Sequence, residues 1–275
     1  MTVLISVLVL AVAAPVLAAD DFHAPIQPGS KITYADLAGI VFPGFEPDKE
    51  DPSAIVADTS APVRQSDDSR KPWDGPLKVT AFDSVRIHIP GRPQFLLTFH
   101  VDDGVGVGNN AFALFQLEPQ PLLLDLIEAP GFPDDPGGIV RTLTLGLHSD
   151  ALIYGASHFN SQQGYERSGI LYVWGGRIET VYDVGLLNCK GCSDGDFEQS
   201  VTIDAVKDPG REFNQVAITI KLKRNADLPD SDHRPRRRAY RRVFSGAFRW
   251  DPVKHRFTTL SKELGVLEAF NQRNY

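Results

Sequence analysis

Cysteine is nearly absent from this chain: Cys189 and Cys192 are the only two in 275 residues. Two thiols can pair with each other, but they cannot build the disulfide framework that holds small secreted folds together. Positive charge is also in short supply. Lys and Arg number 28 against 35 Asp and Glu, which leaves a formal net charge of −7. That balance excludes general affinity for nucleic acid, so no nucleic-acid partner is expected. Long apolar runs are missing after the first residues, so no transmembrane segment is expected in the mature chain.

Complete catalytic and cofactor motifs are missing as well. HExxH and the Walker A pattern do not occur. Gly104, Gly106 and Gly108 follow a β-like run, but the third glycine of GxGxxG would fall at Asn109. Asp102 and Asp103 beside them would repel a pyrophosphate. Gly155-Ala156-Ser157 starts like a nucleophile elbow, and Phe159 stands where its last glycine belongs. CxxCH for haem attachment fails at Ser193. No cofactor is expected from these fragments.

The one long apolar run is Val3 to Leu17, uncharged and followed by the small residues Ala18 and Ala19. About 15 residues suit the core of a signal peptide, whereas a membrane span needs about 20. Residues 1–19 are therefore expected to be a cleavable signal peptide on an exported protein, periplasmic or secreted. The bland alternative is an uncleaved anchor. No Lys or Arg precedes the run and only the terminal amine supplies positive charge, so either the true start lies upstream or the signal is a weak one.

Proline recurs through residues 20–76, where it removes backbone donors and blocks helix interiors. That stretch reads as an irregular N-terminal arm with one short helix, from about Thr33 to Val41, in which Tyr34, Leu37 and Val41 share a face. From 77 to 275 the pattern is β. Gln215 to Lys223 alternates cleanly, with Val216, Ile218, Ile220 and Leu222 on one side and Thr219, Lys221 and Lys223 on the wet side. Ser200 to Lys207 precedes it, across an Asp208-Pro209-Gly210 turn. Gly175-Gly176 suits a two-residue hairpin loop, which sets Trp174 opposite Arg177, Val173 opposite Ile178 and Tyr172 opposite Glu179. Leu171, Val173, Ile178 and Tyr182 then form the expected core face. A last hairpin joins Phe248–Trp250 to Arg256–Thr258, and a closing helix from Ser261 to Phe270 is capped by Ser261. The expected class is all-β: antiparallel hairpins in a sandwich, barrel or propeller-like sheet, with a short helix near each end.

Four groups of residues could carry function. The polar loop from His158 to Tyr165, with Asn160, Gln162 and Gln163, leads into the hairpin that bears Tyr172, Trp174 and Arg177. Amides beside aromatics are what a glycan or peptide site uses. A polar connecting loop, with Arg177 stacked on a covered Trp174, is the plain reading. Arg234, Arg236, Arg237, Arg238, Arg241 and Arg242 form a basic run fit for an anionic envelope component or acidic protein. Solvated charge is its plain reading. Asp194, Asp196 and Glu198, at two-residue spacing, could hold calcium or be an acidic turn in water. Cys189 and Cys192 are expected to form a disulfide that pins a loop, since the carboxylates nearby disfavour a reactive thiolate. The leading functional expectation is a non-enzymatic envelope or secreted binding protein. Its rivals are a hydrolase of envelope polymers, whose carboxylate pair sequence cannot reveal, and a CxxC-dependent redox protein.

Overall fold

The computed structural model describes residues 22–51, 53–65, 68–87, 94–102, 109–130, 137–146, 149–159, 163–189, 196–225 and 238–274. Helix α1 (Tyr34–Val41) forms where its spacing predicts, with Tyr34, Leu37, Ala38 and Val41 buried. Its start is a capping box. Thr33 Oγ1 accepts from Asp36 N at 3.1 Å, and Thr33 N donates to Asp36 Oδ2 at 2.8 Å, which satisfies two otherwise orphaned donors. Short strands β1 (Glu46–Pro47), β2 (Ile55–Thr59), β3 (Val63–Arg64) and β4 (Arg70–Lys71) follow. The proline-rich segment thus supplies one helix and four short strands.

Longer strands come next: β5 (Asp74–Ile87), β6 (Gln94–Asp102), β7 (Asn109–Gln116) and β8 (Leu122–Pro130). Together the first eight strands make one sheet in the order β1-β2-β5-β6-β7-β8-β3-β4, where only the β3–β8 pair is parallel. The second sheet holds β9 (Gly138–Gly146), β10 (Ser149–Phe159), β11 (Gln163–Trp174), β12 (Arg177–Cys189), β13 (Phe197–Val206), β14 (Gln215–Arg224), β15 (Tyr240–Asp251) and β16 (Arg256–Thr259). Its strands neighbour each other in chain order and every pair is antiparallel. Helix α2 (Glu263–Asn274) closes the chain. This is a mainly antiparallel β fold with two short helices near the termini, as the alternation and turn residues lead one to expect.

The expected hairpin registers hold. Trp174 pairs with Arg177, Val173 with Ile178 and Tyr172 with Glu179, around a turn in which Gly175 and Gly176 have φ of 59° and 77°. Positive φ at two successive positions is what a primed turn demands and what glycine tolerates. Phe248 to Asp251 pair with Thr259 to Arg256 in the last hairpin. Along β14, Val216, Ile218, Ile220 and Leu222 are buried, and Lys221 and Lys223 are exposed. Helix α2 starts two residues later and ends four later than its pattern implies. Ser261 still serves its start, because its Oγ accepts from Glu263 N at 3.1 Å and donates to the Ser245 carbonyl at 2.9 Å.

Three apolar layers hold the molecule together. One lies between α1 and the first sheet, where Phe42 meets Phe99 edge-on at 5.2 Å. A second joins the sheets through Leu96, Phe112, Leu114 and Ile127 on one side and Leu152, Tyr154, Leu171 and Ile178 on the other. Asp125 crosses that layer. It is fully buried and accepts from Arg64 Nη2 at 2.7 Å, Arg70 Nη2 at 2.8 Å and the Ile178 amide at 2.9 Å. Buried charge is tolerated only when paired and hydrogen-bonded in this way.

The third layer lies inside the second sheet, which folds back on itself. Strands β12 and β13 share a single backbone register pair, Cys189 with Phe197. The halves β9–β12 and β13–β16 enclose one core containing Ile153, Ile170 and Tyr172 from the first half and Ile218, Phe244 and Trp250 from the second. Side-chain amides replace the missing backbone ladder. Gln199 Oε1 accepts from Leu187 N at 3.1 Å, and Asn188 Oδ1 accepts from Gln199 N at 2.6 Å. From α2, Asn271 Oδ1 accepts from Gln199 Nε2 at 2.5 Å, while its Nδ2 donates to the Gly185 carbonyl at 2.8 Å.

A cationic groove as candidate functional site

The folding back of the second sheet corrects one expectation. Tyr172 and Trp174 do not stand on an outer face. Tyr172 is 3% exposed and meets Trp250 and Phe257 edge-on. Trp174 is half-buried, 4.7 Å from Trp250 and 5.9 Å from Phe213 between ring centroids. Both belong to the core between the two halves, so they are no exposed aromatic surface. Arg177 is exposed and bound to Asp68 at 2.8 Å and Glu179 at 3.2 Å. The opposite end of β11 carries Tyr165, which stacks on His158 with centroids 6.2 Å apart and donates a hydrogen bond to Gln163 Oε1. Nine residue-to-residue steps along β11 separate Tyr165 from Trp174, about 30 Å at a strand's rise per residue. The loop and the hairpin tip therefore do not meet. Asn160 and Gln162 lie outside the described residues.

Of the expected Cys189–Cys192 disulfide, Cys192 lies outside the described residues. Cys189 is 4% exposed at the end of β12, and its Sγ lies 3.9 Å from Gln163 Nε2. Of the acidic trio, Asp194 is outside the described residues. Asp196 and Glu198 are exposed, and Glu198 pairs with Lys223 at 3.6 Å. Among the described residues no group of three or more metal-ligating side chains comes together.

The basic run fares differently. Arg234, Arg236 and Arg237 lie outside the described residues, and Arg238 is exposed just before β15. Arg241 and Arg242 are exposed at the start of β15, where the register sets Arg241 opposite Lys223 and Arg242 opposite Leu222. Here a groove of about 650 Å³ opens at the ends of β12 to β15, bordered by Asn188, Gln199, Ser200 and Val243 besides charged side chains. Among the described residues, Lys221, Lys223, Arg241 and Arg242 are its cations and Glu198 is its only acid. Arg242 is steadied by the Phe244 ring, 4.5 Å from its guanidinium carbon, and Arg224 lies 5.8 Å over Tyr240. Contact with a ring face holds a guanidinium in place.

Sequence reasoning singled out Arg241 and Arg242 but left Lys221 and Lys223 as a wet strand face. The signal was present, because an alternating strand that ends in Lys-x-Lys leads into an arginine-rich run. Pairing the two strands puts Lys221, Lys223 and Arg241 on one face, while Arg242, opposite the buried Leu222, borders the groove from the other. Chemically the cluster can neutralise an anion. Lysine supplies point charges and arginine supplies forks suited to carboxylate or phosphate. The amides that support the groove's edge, Asn188 and Gln199, are engaged in the β12–β13 joint and lend rigidity there. Comparison with known proteins finds no family model, no curated protein and no solved structure that matches this chain.

Proposed function

We propose that this is an exported binding protein that takes an anionic partner in the groove across β12 to β15. The observation that carries the reading is the concentration of four cations against one acid in a single groove of a chain with net charge −7. Over the whole surface a polyanion meets net repulsion, so an attractive site has to be local. The apolar run of residues 3–17 supports export, and an anionic component of the cell envelope or its surroundings is then the natural partner.

The test is retention of the purified chain on an immobilised polyanion at low salt, set beside a Lys221→Glu/Arg241→Glu variant. Both positions are exposed on regular strands, so charge reversal leaves the core untouched. Native protein is retained and the variant flows through. Equal retention of both overturns the groove as the site. Export is tested by expression with the leader intact: an N-terminus at Ala19 or Asp20 supports it, and an intact Met1 on the exported protein contradicts cleavage.

A further inference from the structure

The geometry points to an extended acidic polysaccharide as the partner, lying across the outer face of β13, β14 and β15. This rests on the anion-binding reading and adds the ligand class. The register sorts that face into rows. Glu198, Lys223 and Arg241 form one row, and Ser200, Lys221 and Val243 the next. Thr202, Thr219 and Ser245 form the third. Neighbouring strands lie about 5 Å apart, and same-face residues on one strand about 7 Å apart. Cations at Lys221, Lys223 and Arg241 are thus set at intervals of about 5–7 Å along the groove. A compact phosphate asks for backbone donors beside the cations, and here those of Gln199 and Ser245 are already committed to the Asn188 and Glu263 side chains.

A linear polymer with one charge per repeat fits cations set at such intervals. The hydroxyl row beside the cations selects among such polymers. Thr202 and Ser245 are exposed and Thr219 is half-buried between them. Hydroxyls both donate and accept, which suits the hydroxyls of a sugar ring. A single-stranded nucleic acid asks instead for aromatic stacking surfaces, and the outer positions of these three strands carry none. A lipid surface asks for a contiguous apolar patch, and Val243 is the only large apolar residue on these rows.

The experiment measures binding of the full chain to polygalacturonate, inorganic polyphosphate and neutral dextran at low salt. A Thr202→Val/Thr219→Val variant removes two hydroxyls while valine suits a strand. The native chain should bind polygalacturonate and leave dextran unbound. The variant should bind polygalacturonate about 5-fold or more weakly, as the loss of two hydrogen bonds implies, with polyphosphate binding unchanged. Polygalacturonate binding that the variant leaves unaltered overturns the inference. Binding of polyphosphate without polygalacturonate overturns it too, but leaves the anion site standing. Binding of neither polyanion removes both, and equal binding of dextran removes the role of charge.

Discussion

Replacing Asp125 with alanine tests whether the two sheets are clamped by a buried ion cluster. The Asp125 side chain is wholly buried, and Arg64 beside it is 11% exposed, whereas Arg70 is 45% exposed. Removing the carboxylate leaves Arg64 charged in a place water reaches poorly. It also strips the Ile178 amide of its acceptor, which lay 2.9 Å away. Arg64 keeps its bonds to the Ile178 carbonyl and to Asp68 at 3.4 Å, and Arg70 can turn to solvent. The loss is therefore dominated by one buried charge and one buried amide. Breaking such a pair costs about 3–5 kcal/mol, and the orphaned amide is part of that figure and not an addition to it. With a urea dependence of about 2–3 kcal/mol/M, the unfolding midpoint should fall by about 1–2 M. Asp125→Asn keeps an acceptor for Ile178 and should fall less. The assay is urea unfolding followed by tryptophan fluorescence, since Trp174 and Trp250 sit in the core of the second sheet. A midpoint change below about 0.3 M for Asp125→Ala would show that the cluster does not join the sheets, because that corresponds to under about 1 kcal/mol.

Gln199→Leu should destabilise by about 1–3 kcal/mol in the same assay, because it leaves the Leu187 amide without its acceptor where β12 and β13 lack a backbone ladder; an unchanged midpoint would show that the amides do not bridge the joint. His100 adds a pH dependence. Burial holds its imidazole below the usual histidine range, against the opposing pull of Asp102. The unfolded chain then binds the proton more readily than the folded one. Stability from this group is full above about pH 6.5 and is lost as pH falls through the lowered folded value. A His100→Gln variant should flatten that part of the profile, and an identical profile would refute the assignment.

The hairpins were legible because their signals are local. Gly175-Gly176 fixes its own register, and the alternation of β14 shows which side is wet. The same local logic misplaced Tyr172 and Trp174. Ile170-Leu171-Tyr172-Val173-Trp174 is apolar on both faces, and such a run belongs to a strand covered on both sides. Reading only Leu171 and Val173 as core left the other face nominally exposed, whereas the fold covers it with β15 and β16. That covering depends on the bend at Cys189 and Phe197, a contact no local pattern specifies. The insertion of β3 between β8 and β4 is hidden for the same reason, since it joins Arg64 to Ile127 across the first sheet. Half of the groove was visible as the arginine run. The other half, Lys221 and Lys223, became part of it only once β14 and β15 were paired.

The most direct test of the anionic groove is the salt dependence of polyanion binding by the native chain and by Lys221→Glu/Arg241→Glu. If the four groove cations each displace a counterion, the logarithm of affinity should fall with the logarithm of salt with a slope of about −3, as for a flexible single-stranded polyanion. Between 50 and 200 mM salt that amounts to a loss of about 50-fold. The charge-reversed variant should bind too weakly to measure at either concentration. Binding by the native chain that is indifferent to salt, or a variant that binds as tightly with the same slope, would contradict the account.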